Sequence, residues 1–190
     1  SQNTHLHIIE PYTNLYRVWP NEELKGKISR LIQVFDKNIR QPNNHLGLFF
    51  PMNWQVTSAA YSAGHDIEAS WLIDEAAAVI GEQHDDFVKA LAEAAKEGLQ
   101  ANGLMHGTWW EQAETVVGYS NLYQRFADEE ALQTAINCWE ATKAHYIDYA
   151  RGEWYWGADN CNPAEDKAGF WKCPYHNSRM ALELIERIEG

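Results

Sequence analysis

Long amphipathic stripes separated by loops run through this chain, and three of the apparent helix starts pair a tryptophan with a side chain suited to proton transfer or hydrogen bonding. The three clusters are His65-Asp66-Ile67-Glu68-Ala69-Ser70-Trp71, Trp109-Trp110-Glu111-Gln112-Ala113-Glu114 and Trp171-Lys172-Cys173-Pro174-Tyr175-His176. A weaker one, Asn3-Thr4-His5-Leu6-His7, opens the chain. Sets placed once per helical hairpin converge on a common axis only if the hairpins stand in a ring. A ring of this kind gives a cleft lined by tryptophan, histidine and carboxylate, a lining suited to a sugar.

The apolar periodicity supports helices throughout. Leu6, Ile9, Tyr12, Leu15, Tyr16 and Trp19 share one stripe, with Pro11 expected to kink the segment or mark a helix start. Asn21 is the expected cap of a second helix reaching about Asn38, with Glu22 and Glu23 in its first turn. Further helices are expected from Gly64 to Gly81, Asp85 to Ala101, Glu111 to Phe126, Glu129 to Tyr149, and from near His176 onward. Between them, Leu46 to Phe50 and Trp154-Tyr155-Trp156 read as short strands, and Gly103 to His106 as an extended break. The spacing of the clusters is about one helical hairpin plus a loop, a structural repeat with little sequence repetition. The expected class is therefore all-α, an α/α toroid with small β excursions, and no internal domain boundary over 1–190.

Composition narrows the partners. A net charge of −12 disfavours nucleic acid and anionic membrane surfaces. No apolar run approaches the ~20 residues that span a bilayer. Nine tryptophans are many for 190 residues, and polar neighbours around Trp71, Trp110, Trp154, Trp156 and Trp171 suggest that several line a cleft. Cys138, Cys161 and Cys173 are odd in number and lack metal-finger spacing, which suggests a reduced, cytoplasmic setting. The abrupt start at Ser1-Gln2-Asn3 reads as a cut inside a larger protein.

His65 and Glu68, three apart on a helix, point the same way, so the carboxylate can support the imidazole as an acid or base. A plain helix-cap pair, His65 and Asp66, explains the same residues. Trp110 and Glu114 also share a face, one able to stack on a sugar ring and the other to accept hydroxyl protons; a core tryptophan with a solvated glutamate is the alternative. His176 sits at a helix start after Pro174, where the helix terminus favours its neutral form, and Arg179 lies one turn on. A packed loop-to-helix junction accounts for that histidine equally. His5 and His7 with His65, Glu68 and His176 could make a metal site, but His-x-His on a helix splays the rings, so metal is the lesser reading.

Taken in order, His7-Ile8-Ile9-Glu10, Tyr12-Thr13-Asn14-Leu15-Tyr16, Gly64 to Trp71, Trp109-Trp110 with Gln112-Ala113-Glu114, and Trp171 to Arg179 resemble the N-acylglucosamine 2-epimerase superfamily. Among its branches they are most similar to the cellobiose 2-epimerases. The resemblance spans essentially the whole chain but only the carboxy-terminal half of the family's length. It implies about half of an (α/α)6-barrel, with an acid/base pair in His65 and His176 and a supporting role for Glu68. It implies substrate binding by Asn3, His7, Trp71, Trp110, Glu114 and Trp171. It implies a sugar substrate, no cofactor and no metal, because the C2 proton of an opened aldose lies α to the aldehyde and needs only a base. A family arginine that steadies the enediolate has no counterpart here. An aldose–ketose isomerase of the same superfamily is the sibling reading, and a glycoside hydrolase using Glu68 and Glu114 the competing one. Half a barrel also leaves apolar faces open, so the expectation is association with the missing amino-terminal half or with a second copy.

Overall fold

A computed structural model describes residues 1–158 and 167–189, which form two compact units, Ser1–Glu97 and Gly98–Gly190. The first unit holds α1 (Gln2–Val18), α2 (Glu22–Val34) running into a π turn over Phe35–Ile39, α3 (Ala63–Ile80) and α4 (Asp85–Ala95). The second holds α5 (Trp109–Phe126), α6 (Glu129–His145) and α7 (Tyr175–Glu189). Asn21 caps α2 by accepting from the Glu23 and Leu24 amides, as its position predicts. Pro11 lies inside α1 and takes one hydrogen bond out of its ladder.

Two helices differ from the others in what surrounds them. α2 and α4 bury one apolar stripe each, through Leu24, Ile28 and Ile32 in the first and Phe87, Val88 and Leu91 in the second. α3 is enclosed nearly all round, packing on α1, α2 and α4. Its buried set includes Asp66, Glu68, Ser70 and Asp74 beside Ile67, Trp71, Leu72 and Ile73. α5 repeats this in the second unit, packed on α6 and α7 and burying Gln112, Glu114, Thr115 and Asn121. Buried carboxylates cost several kcal/mol unless paired, so helices that keep them have fixed partners for them or a use for them.

The strands expected at 46–50 and 154–156 do not form, and no strand occurs among the described residues. Three isolated antiparallel bridges stand instead: Arg40 with Leu46, Leu99 with Met105, and Ile147 with Trp154. Each closes the loop that follows an even-numbered helix. In Gln41-Pro42-Asn43-Asn44-His45-Leu46 the Gln41 amide bonds the His45 carbonyl, while the Asn44 amide bonds back to Gln41. Gln100-Ala101-Asn102-Gly103-Leu104-Met105 makes the same pair, Gln100 to Leu104 and Gly103 to Gln100. Asn43 and Asn102 each accept the amide two residues on. Both turns pass through the left-handed region, Asn44 at φ 67° and Gly103 at φ 89°, and Gly152 at φ 78° does so in the third loop. At Gly103 a Cβ would also lie 2.9 Å from the Asn137 carbonyl oxygen, so close approach to α6 demands glycine there. The chain turns too tightly for more than one bridge per loop, which is why the strand patterns never extend.

Candidate active site

In the first unit the start of α3 is held from two sides. Ser62 caps it, its Oγ accepting the His65 amide at 3.3 Å. Asp66, fully buried, accepts the Leu46 amide on Oδ1 at 2.8 Å and meets His45 Nδ1 on Oδ2 at 2.7 Å. His45 is itself buried, stacked on Tyr61 with centroids 3.7 Å apart, and its Nε2 faces Glu97 at 3.4 Å. Burial pushes the Asp66 carboxyl up to about 6, opposed by the His45 and Leu46 hydrogen bonds. The turn at 41–46 is thus riveted to the residue next to His65. One turn on from His65, Glu68 is buried at 1% exposure, and Trp71 is buried as well. Asn3 and His7 both lie on the exposed side of α1, with His7 Nδ1 3.9 Å from Glu10.

In the second unit the start of α5 is set by a capping box between Thr108 and Glu111. Burial raises the Glu111 pKa, with the Thr108 bonds working the other way. Gln112 then stitches the preceding loop to the helix, accepting the Met105 amide and donating to the Met105 carbonyl, both at 2.8 Å. One turn further, Glu114 is buried at 1% exposure. Its Oε1 is 2.7 Å from His176 Nδ1 and accepts from Arg179 Nη2, also at 2.7 Å. Arg179 donates in turn to the Tyr175 hydroxyl at 2.6 Å and lies over that ring. The Trp110 ring is tilted against His176 with centroids 5.4 Å apart.

This arrangement fixes a tautomer. Burial alone would raise the Glu114 pKa, but the Arg179 charge and the His176 hydrogen bond outweigh it and hold the carboxyl below its usual range. An ionised Glu114 is acceptor-only, so His176 Nδ1 must carry a proton, and in the neutral ring Nε2 is then the lone-pair nitrogen. A carboxylate–imidazole pair in this orientation has the geometry that general-base chemistry requires.

Several expected site residues sit differently from the sequence reading. Glu114 spends Oε1 on His176 and Arg179, where the sequence reading gave it sugar hydroxyls. The polar neighbours that suggested a cleft face for Trp71 are buried with it in α3, and Trp154 is buried too. Trp110 is half-buried, and Trp171 is exposed at 79% beside Phe170. Cys161 lies outside the described residues. The tie from Glu114 to His176 crosses 62 positions of sequence, so no spacing argument reaches it.

With this geometry in hand, comparison with known proteins decides the family. The N-acylglucosamine 2-epimerase family pattern matches residues 1–178. This chain belongs to that family. It is 48% identical to a cellobiose 2-epimerase of Bacteroides fragilis, over 97% of this chain and 53% of that protein. It shares 38% identity with a cellobiose 2-epimerase of Dictyoglomus turgidum, over 99% of this chain and 54% of the other. Among solved structures, the cellobiose 2-epimerase from Bacillus thermoamylovorans superposes with a TM-score of 0.90 at 40% identity, covering 97% of this chain and 53% of that one. The chain therefore spans about half the length of the curated relatives it matches. The all-α fold expected from the sequence is the fold these epimerases share with it, and the coverage accords with about half of an (α/α)6-barrel.

The Glu114 environment makes a pH prediction. A carboxyl whose folded pKa lies below its unfolded value stabilises the fold above the unfolded pKa, and that contribution disappears as pH falls through the folded one. Thermal melts of Glu114→Gln and the parent protein should differ at neutral pH and converge as pH falls through and below the ordinary glutamate range. Curves that stay parallel over that window would show that Glu114 is not held ionised.

Proposed function

We propose that the protein carrying this chain is a carbohydrate 2-epimerase that inverts C2 of a reducing-end aldose, and that cellobiose, the substrate named for its relatives, is a fitting one. The supporting observation is the Glu114–His176 pair at 2.7 Å, which ties His176 Nδ1 to a carboxylate and, in the neutral ring, keeps the lone pair on Nε2. A neutral imidazole of this kind removes the C2 proton of the opened sugar, which the C1 aldehyde acidifies. The electrons move into a C1–C2 enediolate. His65 and His176 serve as the acid/base pair, one taking the proton from C2 and the other returning one to the opposite face, so the configuration inverts. Glu68 supports His65, and Trp110 and Trp171 shape the sugar subsites with Asn3 and His7 at the reducing end. Glu114 acts through His176, and its contact with hydroxyls is the lesser part of its role.

A glycoside hydrolase needs one carboxyl protonated at working pH as general acid. Glu114, held ionised by Arg179 and His176, is poorly suited to that duty. We also read the exposed apolar residues of α1 (Leu15, Val18) and of α7 (Leu182, Ile185, Ile188) as faces for the remaining half of the barrel. The 190-residue chain by itself should then scatter light as particles larger than a monomer at high concentration. A strictly monomeric species would contradict this.

The catalytic reading predicts that the full-length protein converts cellobiose into its mannose-configured epimer. His65→Asn and His176→Asn should each lower that conversion by at least about 10³-fold, as loss of an essential proton carrier does. A ketose product would place the returning proton at C1 and assign the isomerase reaction. Cleavage to monosaccharides that survives His176→Asn would assign the hydrolase.

A further inference from the structure

We propose that Lys172 is a positioning residue, whose buried ammonium fastens the start of α7 to the start of α5 and so holds His176 in register with Glu114. The inference rests on reading His176 as an acid/base group.

Lysine is rarely enclosed, because removing an ammonium from water is costly unless every donor finds an oxygen. The Lys172 side chain is 0% exposed. Its Nζ donates to Glu153 Oε1 at 2.9 Å and to the Lys167 carbonyl at 3.0 Å, and it stands 4.9 Å from the centre of the Trp109 ring. Trp109 is the first residue of α5, so the indole face that receives this charge opens the helix carrying Glu114. Its backbone amide is pinned as well, to the Trp156 carbonyl at 3.0 Å.

The other end of the fastening is Glu153. Its Oε1 accepts from Lys172 and from Asn177 Nδ2, each at 2.9 Å, and from the Trp154 amide at 3.0 Å. Burial works against the charge, but these donors outweigh it and hold the carboxyl below its ordinary range. Glu153 also keeps φ at 64°, a left-handed conformation that is unfavourable for a non-glycine residue and persists only where the surroundings impose it. Asn177 follows His176 directly and stands two residues before Arg179. One ammonium–carboxylate pair therefore touches the first residue of α5 and the first turn of α7, the two helices whose side chains make the His176–Glu114–Arg179 cluster.

A structural role alone would also destabilise the fold on mutation, so the test separates positioning from stability. Replacing both members of a buried ion pair by neutral residues of similar size is often harmless to folding, whereas removing one leaves a stranded charge. In the full-length protein, Lys172→Met should therefore lower the melting temperature, and Lys172→Met with Glu153→Gln should restore most of it. In both variants kcat for C2 inversion of cellobiose should stay lower by roughly 10- to 100-fold, the scale of an ångström-sized misplacement. KM should move by less than about threefold, because the sugar contacts are untouched. The downfield proton resonance of His176 Nδ1–H, bonded to Glu114, reports the register directly and should shift or broaden in both. Recovery of kcat together with the melting temperature in the double variant would overturn the proposal, as would an unmoved resonance. A shifted resonance in a protein whose parent inverts no sugar would uphold the positioning role and sink the epimerase reading.

Discussion

Glu114 has almost no contact with solvent, yet it is held charged. Its Oε1 takes two donors at 2.7 Å, an imidazole and a guanidinium from successive turns of α7. Much of the second unit can be read as the support this requires. The capping box at Thr108 and Glu111 sets where α5 begins, Gln112 locks the loop before it, and the Glu153 carboxylate gathers the first turn of α7. Were the carboxylate to be left without those donors, its burial would cost several kcal/mol. With them, the same burial removes competing water and gives the histidine one orientation and one tautomer.

In the first unit it is the residue beside His65 that is held. There the turn at 41–46 is tied to α3 by Asp66, through the buried His45 ring and the Leu46 amide. Both units thus place a histidine within the first turn of a helix and fix the neighbouring residue by hydrogen bonds, Asp66 beside His65 and Asn177 beside His176. Precision at the histidines comes from the loops that precede or adjoin the helices, and the loops in turn are fixed by one bridge and a left-handed residue each.

Much of this was legible in the chain itself. Helix positions followed from the apolar stripes, and the caps at Asn21 and Gly81 fell where the residue types demand them. The strands at 46–50 and 154–156 were misread because β-prone residues in a tight turn have no second strand to extend along. The similarity of Gln41-Pro42-Asn43-Asn44 and Gln100-Ala101-Asn102-Gly103 was available as a repeat signal, since amide-accepting asparagines recur before a left-handed residue. Contacts across long separations left no such trace. Neither the Glu114–His176 bond nor the Lys172–Glu153 pair can be seen in local spacing, and Asp66 looked like an ordinary first-turn acid. Buried polar pairs of this kind are specified by tertiary packing, which periodicity does not encode.

The proposed function has two histidines serving opposite faces of one C2 carbon. It is tested most directly by isotope exchange in heavy water, using His65→Asn and His176→Asn in the full-length protein with each epimer as substrate. Two-base chemistry predicts that neither variant interconverts the epimers, and that each exchanges the C2 proton of one epimer only, the two variants choosing opposite ones. Interconversion that persists without either histidine, or identical exchange from both epimers in both variants, would contradict it.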